Sequence, residues 1–396
     1  MGIYKPTIQD SIGYTKKKKE KRKMVINYKN IVITPKEIEE MTNIFSIQSP
    51  SGKEDNMKNH IMKILNTIKG VFYKIDKKGN ILVTKGELKK DQYYPCLVAH
   101  TDTVHEIKKN YKVTVTENEV IGPIFKSFYT NKLNQIVRCG GCGDDGTGIW
   151  LALDILKKVP NIKVLFTVEE EIGCIGAYNV DLSFFKDCGY LVEGDRRGLG
   201  DIIFNGSFVD DMASKEFQEM VTETGKKFEF IPTNGSFTDV SKIVERGVGI
   251  SAVNLSTGYY NPHTDKEYTI SKELINTRNL VLKILEVCSY SRFPHKVTST
   301  VYNHNSYYNE FDYWYDKYNY LYDFDNDGEE EKYNNPNEIC TCTEEDFYNG
   351  FISLDCPVHN NIINLNTNLF CSCGQQLEER NITYFCRICG KHKIYI

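Results

Sequence analysis

The chain has 396 residues, 40% of them hydrophobic and 26% charged, and a formal net charge of −4. That length allows two or three domains, and the near-neutral balance excludes a global electrostatic pull toward nucleic acid or an anionic membrane. No apolar run approaches the ~18 residues of a transmembrane helix and the N-terminus lacks the apolar core of a signal peptide. A cytoplasmic protein with no membrane partner is therefore expected, and its thirteen cysteines point to metal ligands and free thiols rather than disulfides.

Residues 1–30 read as a basic tail, with Lys16 to Lys23 interrupted only by Glu20. A solvated lead-in is the simpler reading, against a targeting or nucleic-acid patch. Residues 31–295 alternate helical and strand patterns. Lys36 to Phe45 and Glu54 to Ile68 carry helical periodicity. Val71–Ile75 and Asn80–Thr84 flank the hairpin-like turn Lys77-Lys78-Gly79. Tyr94 to Ala99 is a short apolar run ending at His100. A Gly-rich stretch, Gly140 to Gly146, precedes an apolar helix from Gly148 to Lys157. Ile162 to Val168 and Gly189 to Val192 read as buried strands ending in acids. Asp211–Thr224 and Asp239–Arg246 read as helices, Gly249–Leu255 as a strand and Lys272–Val287 as a closing helix. This alternation implies a three-layer α/β sandwich with a mostly parallel central sheet.

Residues 296–339 break the pattern with Tyr, Asn and acidic residues and read as a linker. Asp323 to Gly328 imitates the start of an EF-hand loop, but Asn334 stands where the twelfth-position Glu is required. Residues 340–396 contain an internal repeat. Cys340-Thr341-Cys342 is followed by Cys356-Pro357-Val358-His359, and Cys371-Ser372-Cys373 by Cys386-Arg387-Ile388-Cys389, with offsets of 30 or 31 residues.

In open α/β sheets, ligands gather beyond the carboxyl ends of the strands. Three of the apolar runs finish in His100-Thr101-Asp102, Glu169-Glu170-Glu171 and Glu193-Gly194-Asp195, which should place these groups in one crevice. Asp144-Asp145 and His263 lie in loops nearby in the chain. Taken one at a time, each has a plainer explanation. The glutamates are compatible with a solvated strand end, Asp144-Asp145 with a turn in which Asp145 caps the next helix, and His105 with an ordinary loop position. Together they supply two imidazoles, a carboxylate able to bridge, two terminal carboxylates and a free base, which is what a pair of catalytic cations requires.

The residues also resemble a known family. Ser49-Pro50-Ser51-Gly52-Lys53-Glu54, Val98 to Val104, Gly143 to Gly148 and Thr167 to Gly173 are similar to motifs of the M20/M28/M42 group of co-catalytic zinc exopeptidases, peptidase-T-like members above all, over roughly residues 35–290. The resemblance implies His100 as the imidazole of a first zinc ion and Asp102 as the carboxylate that orients it. It implies Asp144 as the bridge, Glu171 and His263 as ligands of a second zinc ion, Asp195 as terminal ligand of the first, and Glu170 as general base. Glu193 competes with Asp195; the Asp-then-Gly pattern of Asp195 to Gly198 favours Asp195. Gly146-Thr147 follows the bridging pair where the family often has Lys or Arg. The stretch from Asp195 to His263 leaves no room for an inserted lid domain, and the interval from His105 to Cys139 is too short for the alternative extra domain. A compact catalytic unit is implied, with Tyr259 and Tyr260 as candidate oxyanion donors or, more simply, packing residues.

The tail repeat resembles zinc-ribbon knuckles, whose thiolate and imidazole spacing suits one or two structural Zn²⁺ ions. Their pairing is either interleaved or, more simply, sequential, which would use Cys340, Cys342, Cys356 and His359, then Cys371, Cys373, Cys386 and Cys389. From Cys340 onward there are six acidic residues against four Lys and Arg, the opposite of a phosphate-binding face, so a protein partner is favoured over nucleic acid. The expected function is metal-dependent hydrolysis of small peptides. The alternatives are a catalytically inactive scaffold on the same fold, or a nucleic-acid-binding ribbon protein.

Overall fold

A computed structural model of the chain describes residues 30–297, apart from 142, 207 and 208, and three short strands within 378–395. The chain divides into two compact units, Met1–Tyr302 and Asn303–Ile396.

Helix α1 (Pro35–Phe45) starts at a capping box: the Thr34 hydroxyl accepts from the Glu37 N–H while the Glu37 carboxylate accepts from the Thr34 N–H. It buries Met41, Ile44 and Phe45. Helix α2 (Asp55–Leu65) buries Met57, Ile61 and Leu65, a stripe at helical spacing. Strands β1 (Val71–Ile75) and β2 (Ile81–Lys85) pair antiparallel as the expected hairpin. Its turn is tied by Asp76, which accepts from the N–H groups of Lys78, Gly79 and Asn80. Strand β3 (Tyr94–His100) follows, then β4 (Lys112–Thr116), β5 (Ile124–Thr130), β6 (Ile136–Cys139), helix α3 (Gly146–Lys158) and β7 (Ile162–Thr167). The short helix α4 (Ile175–Asn179) and a 3-10 turn lead to β8 (Cys188–Arg196), β9 (Asp201–Ile203), α5 (Lys215–Lys226), β10 (Ile231–Thr233), α6 (Asp239–Glu245), β11 (Ser251–Ser256), β12 (Tyr259–Tyr260), β13 (Tyr268–Ile270) and α7 (Ser271–Cys288).

The main sheet has eight strands in the order β1-β2-β7-β3-β8-β11-β9-β10. Its centre, β7-β3-β8-β11, is parallel throughout. Alternate side chains of β3 enter two different cores. Leu97 and Ala99 join the cluster formed with α1, α2, α3, α5 and α7, whereas Cys96 and Val98 join the one formed with α4 and α6. A sheet covered on both faces is the three-layer sandwich expected from the sequence.

Several elements differ from their expected bounds by a few residues, such as α2, which ends at Leu65 rather than Ile68; two of the differences have a plain structural reason or bear on the site. Helix α5 begins at Lys215, not Asp211, because Asp211 turns back to accept from the Ala213 N–H and Ser214 caps the helix. Strand β8 runs past Val192 to Arg196, pairing Glu193 and Arg196 with Asn254 and Ser256 of β11. The interval from His105 to Cys139 holds no separate domain but does form β4, β5 and β6, which build a second, antiparallel sheet with β12 and β13. The alternation Lys112-Val113-Thr114-Val115-Thr116 is its readable signal in the sequence. The segment between Asp195 and His263 contributes β9, β10 and β11 to the main sheet itself.

In the second unit the described residues form one antiparallel sheet, β14 (Glu378–Arg380), β15 (Thr383–Phe385) and β16 (Lys393–Tyr395). Cys340, Cys342, Cys356, His359, Cys371, Cys373, Cys386 and Cys389 lie outside the described residues, as do the basic tail and the linker.

Candidate metal centre

The parallel strands deliver their terminal side chains to one place. His100 closes β3, Glu170 and Glu171 follow β7, and Asp195 stands near the end of β8. Two loops complete the group: β6 to α3 brings Asp144, and β12 to β13 brings His263. Nε2 of His100 lies 3.1 Å from Oδ1 of Asp144 and 3.8 Å from Oδ1 of Asp195. Nε2 of His263 lies 3.1 Å from Oδ2 of Asp144 and 3.1 Å from Oε2 of Glu171. Each oxygen of Asp144 therefore faces a different imidazole. Donor atoms of His100, Asp144 and Glu171 all lie within 4.8 Å of one another.

Asp102 is wholly buried and joins three segments. Its carboxylate accepts from the Ser51 hydroxyl (2.6 Å) and from the N–H groups of Glu170 (2.9 Å) and Glu171 (3.2 Å). Its Oδ1 is 3.4 Å from Nδ1 of His100, but its own backbone carbonyl is nearer, at 3.0 Å. Asp102 thus holds the imidazole mainly through the main chain and uses its carboxylate to place the two glutamates. The Ser49 to Glu54 run is the other half of this tie: Ser49 accepts from the Thr103 N–H and Glu54 from the Glu169 N–H.

Glu169 takes a left-handed conformation, φ 56°, which bends the chain sharply after β7. Its carboxylate pairs with Lys78 at 2.6 Å. The bend separates the next two side chains. Glu171 faces His263, whereas Glu170 turns inward, with the Cys174 thiol 3.4 Å from its Oε1.

The Asp144–Asp145 peptide bond is cis. Asp145 caps α3, accepting from the Gly148 N–H at 2.9 Å, and its other oxygen accepts from the His100 N–H at 3.1 Å. Of the Gly146-Thr147 pair that follows Asp145, Thr147 bonds Thr257. Neither candidate tyrosine has an idle hydroxyl. Tyr259 donates to Oδ1 of Asp195 (3.0 Å) and Tyr260 to Glu273 (2.7 Å), so Tyr259 supports a carboxylate rather than waiting for an oxyanion. His105 is a loop residue, and its Nε2 lies 3.1 Å from Oε2 of Glu267.

The electrostatics of the crevice are lopsided. Asp102, Asp144, Asp145, Glu170, Glu193 and Asp239 are buried there or beside it, and the side chains of Glu171 and Asp195 are nearly enclosed. Among the described residues their ion pairs are with the two histidines and with no lysine or arginine. Burial, joined by the Asp144 charge, raises the Glu171 carboxyl to about 7; the same causes bring Asp195 to about 6. Burial also pushes Glu170 and Glu193 well above the usual carboxylate range, helped by the Asp195 charge. Asp144 is held low, the hydrogen bonds of both imidazoles overcoming its burial. His263 rises to about 10 through its hydrogen bonds to Asp144 and Glu171. For His100, burial opposes the charge, but Asp102, Asp144 and Asp195 outweigh it and raise the pKa. Oε1 of Glu171, Oδ1 of Asp239 and both oxygens of Glu193 lack a hydrogen bond of good geometry; Thr238 is the polar neighbour of Glu193. Buried acids in this number are stable only when protonated or matched by bound cations. Two imidazoles facing opposite oxygens of one carboxylate fit divalent ions better than they fit a proton network.

Of three further buried acids, Asp239 and Glu267 had no distinctive signal in the sequence, whereas Glu193 stood there as the competitor of Asp195. Asp239, at the start of α6, accepts from Thr167, and burial raises it to about 7. Glu193 stays wholly buried one turn of the pleat before Asp195. Glu267 accepts three N–H groups of the Asp144 loop. The run His263-Thr264-Asp265-Lys266-Glu267 placed Glu267 beside a ligand, which was the available hint.

No protein-family model matches the sequence, and no curated protein matches it. Solved structures do match the fold. Aminopeptidase PepT from Bacillus cereus is 16% identical, with a TM-score of 0.51 over 66% of this chain and 98% of its own. A tripeptidase from Staphylococcus aureus is 14% identical, again with a TM-score of 0.51 over 66% of this chain and 98% of its own. The mixed α/β sandwich with its largely parallel sheet is thus the fold of a class of peptidases.

Proposed function

We propose that the protein is a metallopeptidase of the exopeptidase kind, hydrolysing amide bonds of small peptides at a pair of zinc ions. The observation that carries this reading is Asp144, with one oxygen 3.1 Å from His100 and the other 3.1 Å from His263. That disposition supports Asp144 as the bridge, His100 and Asp195 as the other ligands of one ion, and Glu171 and His263 as those of the second. An imidazole and carboxylate donor set suits zinc. The names of the two similarly folded proteins, an aminopeptidase and a tripeptidase, support the same reaction class.

Zinc held there would supply a water of pKa lowered toward ~7 and would polarise a carbonyl oxygen. The protein's own groups do the rest. Asp102 fixes the backbone of Glu170 and Glu171 through its two accepted N–H bonds. The left-handed turn at Glu169 keeps Glu170 off the ligand set. As general base, the Glu170 carboxylate takes a proton from the attacking water and delivers it to the leaving amine nitrogen.

In the second unit we propose one or two structural zinc ions on the two cysteine-rich repeats, with a protein partner as their use. A cytoplasmic setting accords with the five described cysteines, Cys96, Cys139, Cys174, Cys188 and Cys288, all free and buried.

The test is hydrolysis of a pool of short peptides. Activity should vanish on chelation and return with zinc. Glu170→Gln should lower kcat by about a hundred- to ten-thousand-fold while its zinc content stays unchanged. A zinc-replete protein that cleaves no member of the pool overturns the enzyme reading, and a zinc content confined to the cysteine-rich tail overturns the metal centre itself.

A further inference from the structure

Among the wholly buried carboxylates to which the mechanism gives no role is Glu267. It lies in the same loop as His263. Its Oε1 accepts from the N–H groups of Gly143 (2.7 Å) and Asp144 (2.9 Å). Its Oε2 accepts from the Gly141 N–H (2.7 Å) and lies 3.1 Å from Nε2 of His105. Hydrogen bonds to an ionised acceptor are about twice as strong as neutral ones, so three of them on one turn fix that turn firmly. Arg138, at the end of β6, adds a second tie by donating to the backbone carbonyl of Lys266 at 2.8 Å.

The glycines of this stretch follow from the tie. A Cβ at Gly143 would stand 2.4 Å from Cβ of Tyr259 and 2.8 Å from Oε1 of Glu267. A Cβ at Gly140 would stand 2.3 Å from the His105 ring. Only a chain without side chains comes this close to the carboxylate and the imidazole.

We propose that Glu267, backed by His105, is a positioning residue that sets the carboxylate of Asp144 against the imidazole of His263. This rests on the two-metal reading of the site. One side chain anchors two of the three segments that supply the second ion: the Gly141–Asp144 turn through its N–H groups, and the His263 loop through its own backbone; the third ligand, Glu171, follows β7 and has its N–H held by Asp102. The first ion has two further ligands, His100 and Asp195, carried on strands of the main sheet, and depends on Glu267 only through Asp144.

The test is titration of the metal-free, full-length protein with Zn²⁺ by calorimetry and with Co²⁺ by absorption. Thiolate-to-cobalt charge-transfer bands mark ions in the cysteine-rich tail, so ions held by imidazole and carboxylate are counted separately. Wild type should take two such ions. Glu267→Gln, which keeps the shape but replaces one acceptor oxygen by a donor, should bind the second about ten- to a hundred-fold more weakly. The ligand-field bands of that second cobalt should shift, with the first ion less affected. Glu267→Asp should recover part of the loss, and His105→Ala should show a smaller one. Two equivalents bound by Glu267→Gln with wild-type affinity and an unchanged cobalt spectrum overturn the proposal. If Glu267→Gln does not fold, His105→Ala and Glu267→Asp decide: weakened second binding supports the role, and unchanged binding in both overturns it. Fewer than two such ions in wild type overturns the two-metal reading, and this inference with it.

Discussion

The two halves of the candidate metal centre are built differently. His100 stands on a central strand with its side chain 1% exposed, next to Asp195 at 8%. His263 stands in a loop at φ 62° with its side chain 52% exposed, although its partner Glu171 is only 5% exposed. The first half borrows the rigidity of a buried parallel sheet. The second depends on a surface loop pinned by side chains such as Glu267. The arrangement encloses the His100 imidazole and leaves that of His263 within reach of solvent.

Removing one imidazole at a time is the strongest way to break that comparison. His100→Ala should abolish peptide hydrolysis and lose both ions of the centre, because it takes a ligand from the buried half and a partner from Asp144. His263→Ala should keep one ion. Equal zinc loss in the two variants, measured by elemental analysis of purified protein, would mean that the halves are equivalent after all.

Zinc should also stabilise the fold. At a free concentration of one hundred times the dissociation constant, each site contributes about 2.7 kcal/mol, seen as a rise in Tm over the chelated protein. In His263→Ala, the part of that rise belonging to the second site should be missing. A chelated protein with an unchanged Tm would contradict the charge imbalance described above.

A smaller effect concerns Asp239, which belongs to the buried half. Burial raises its folded pKa to about 7, against ~3.9 in an unfolded chain. Below ~4 both states are protonated and the group is neutral in its effect. Between ~4 and ~7 the unfolded chain ionises first, so stability falls as pH rises; above ~7 the penalty is constant. In metal-free protein, Asp239→Asn should therefore gain on wild type between pH 4 and pH 7.5 by on the order of 1–2 kcal/mol, since coupled neighbours share the proton. Parallel denaturation curves at the two pH values would refute this.

The smallest change is expected from Tyr259→Phe. It deletes one hydrogen bond to the Asp195 carboxylate, which is worth about 1.5–3 kcal/mol for a charged acceptor before water or metal replaces it. Zinc affinity of the first site should drop less than ten-fold, with kcat nearly retained. A collapse of kcat would restore Tyr259 to a direct role in the chemistry.

Much of the centre was legible because its chemistry is local. Apolar runs that end in His100, Glu171 and Asp195 announce both a buried strand and a donor at its end. Of the two acids read at the end of the last of these runs, Asp195 approaches His100 to 3.8 Å, while both oxygens of Glu193 stay without a well-formed bond. The second sheet was overlooked because its strands are short and half-exposed, such as the alternating exposure of β4. Asp239 and Glu267 were overlooked because a single acid at a helix start or in a loop is ordinary in any sequence.

By itself, the sequence determined the alternation that makes a parallel sheet and the donor types set at its carboxyl edge, since periodicity and ligand chemistry are properties of a few adjacent residues. The tertiary structure decided which oxygen of Asp144 meets which imidazole, that Tyr259 serves Asp195, and that Glu267 reaches across 124 residues to the Gly143 N–H. Those assignments depend on convergence of segments distant in the chain, and hydrogen-bond geometry of that kind leaves no local pattern to read.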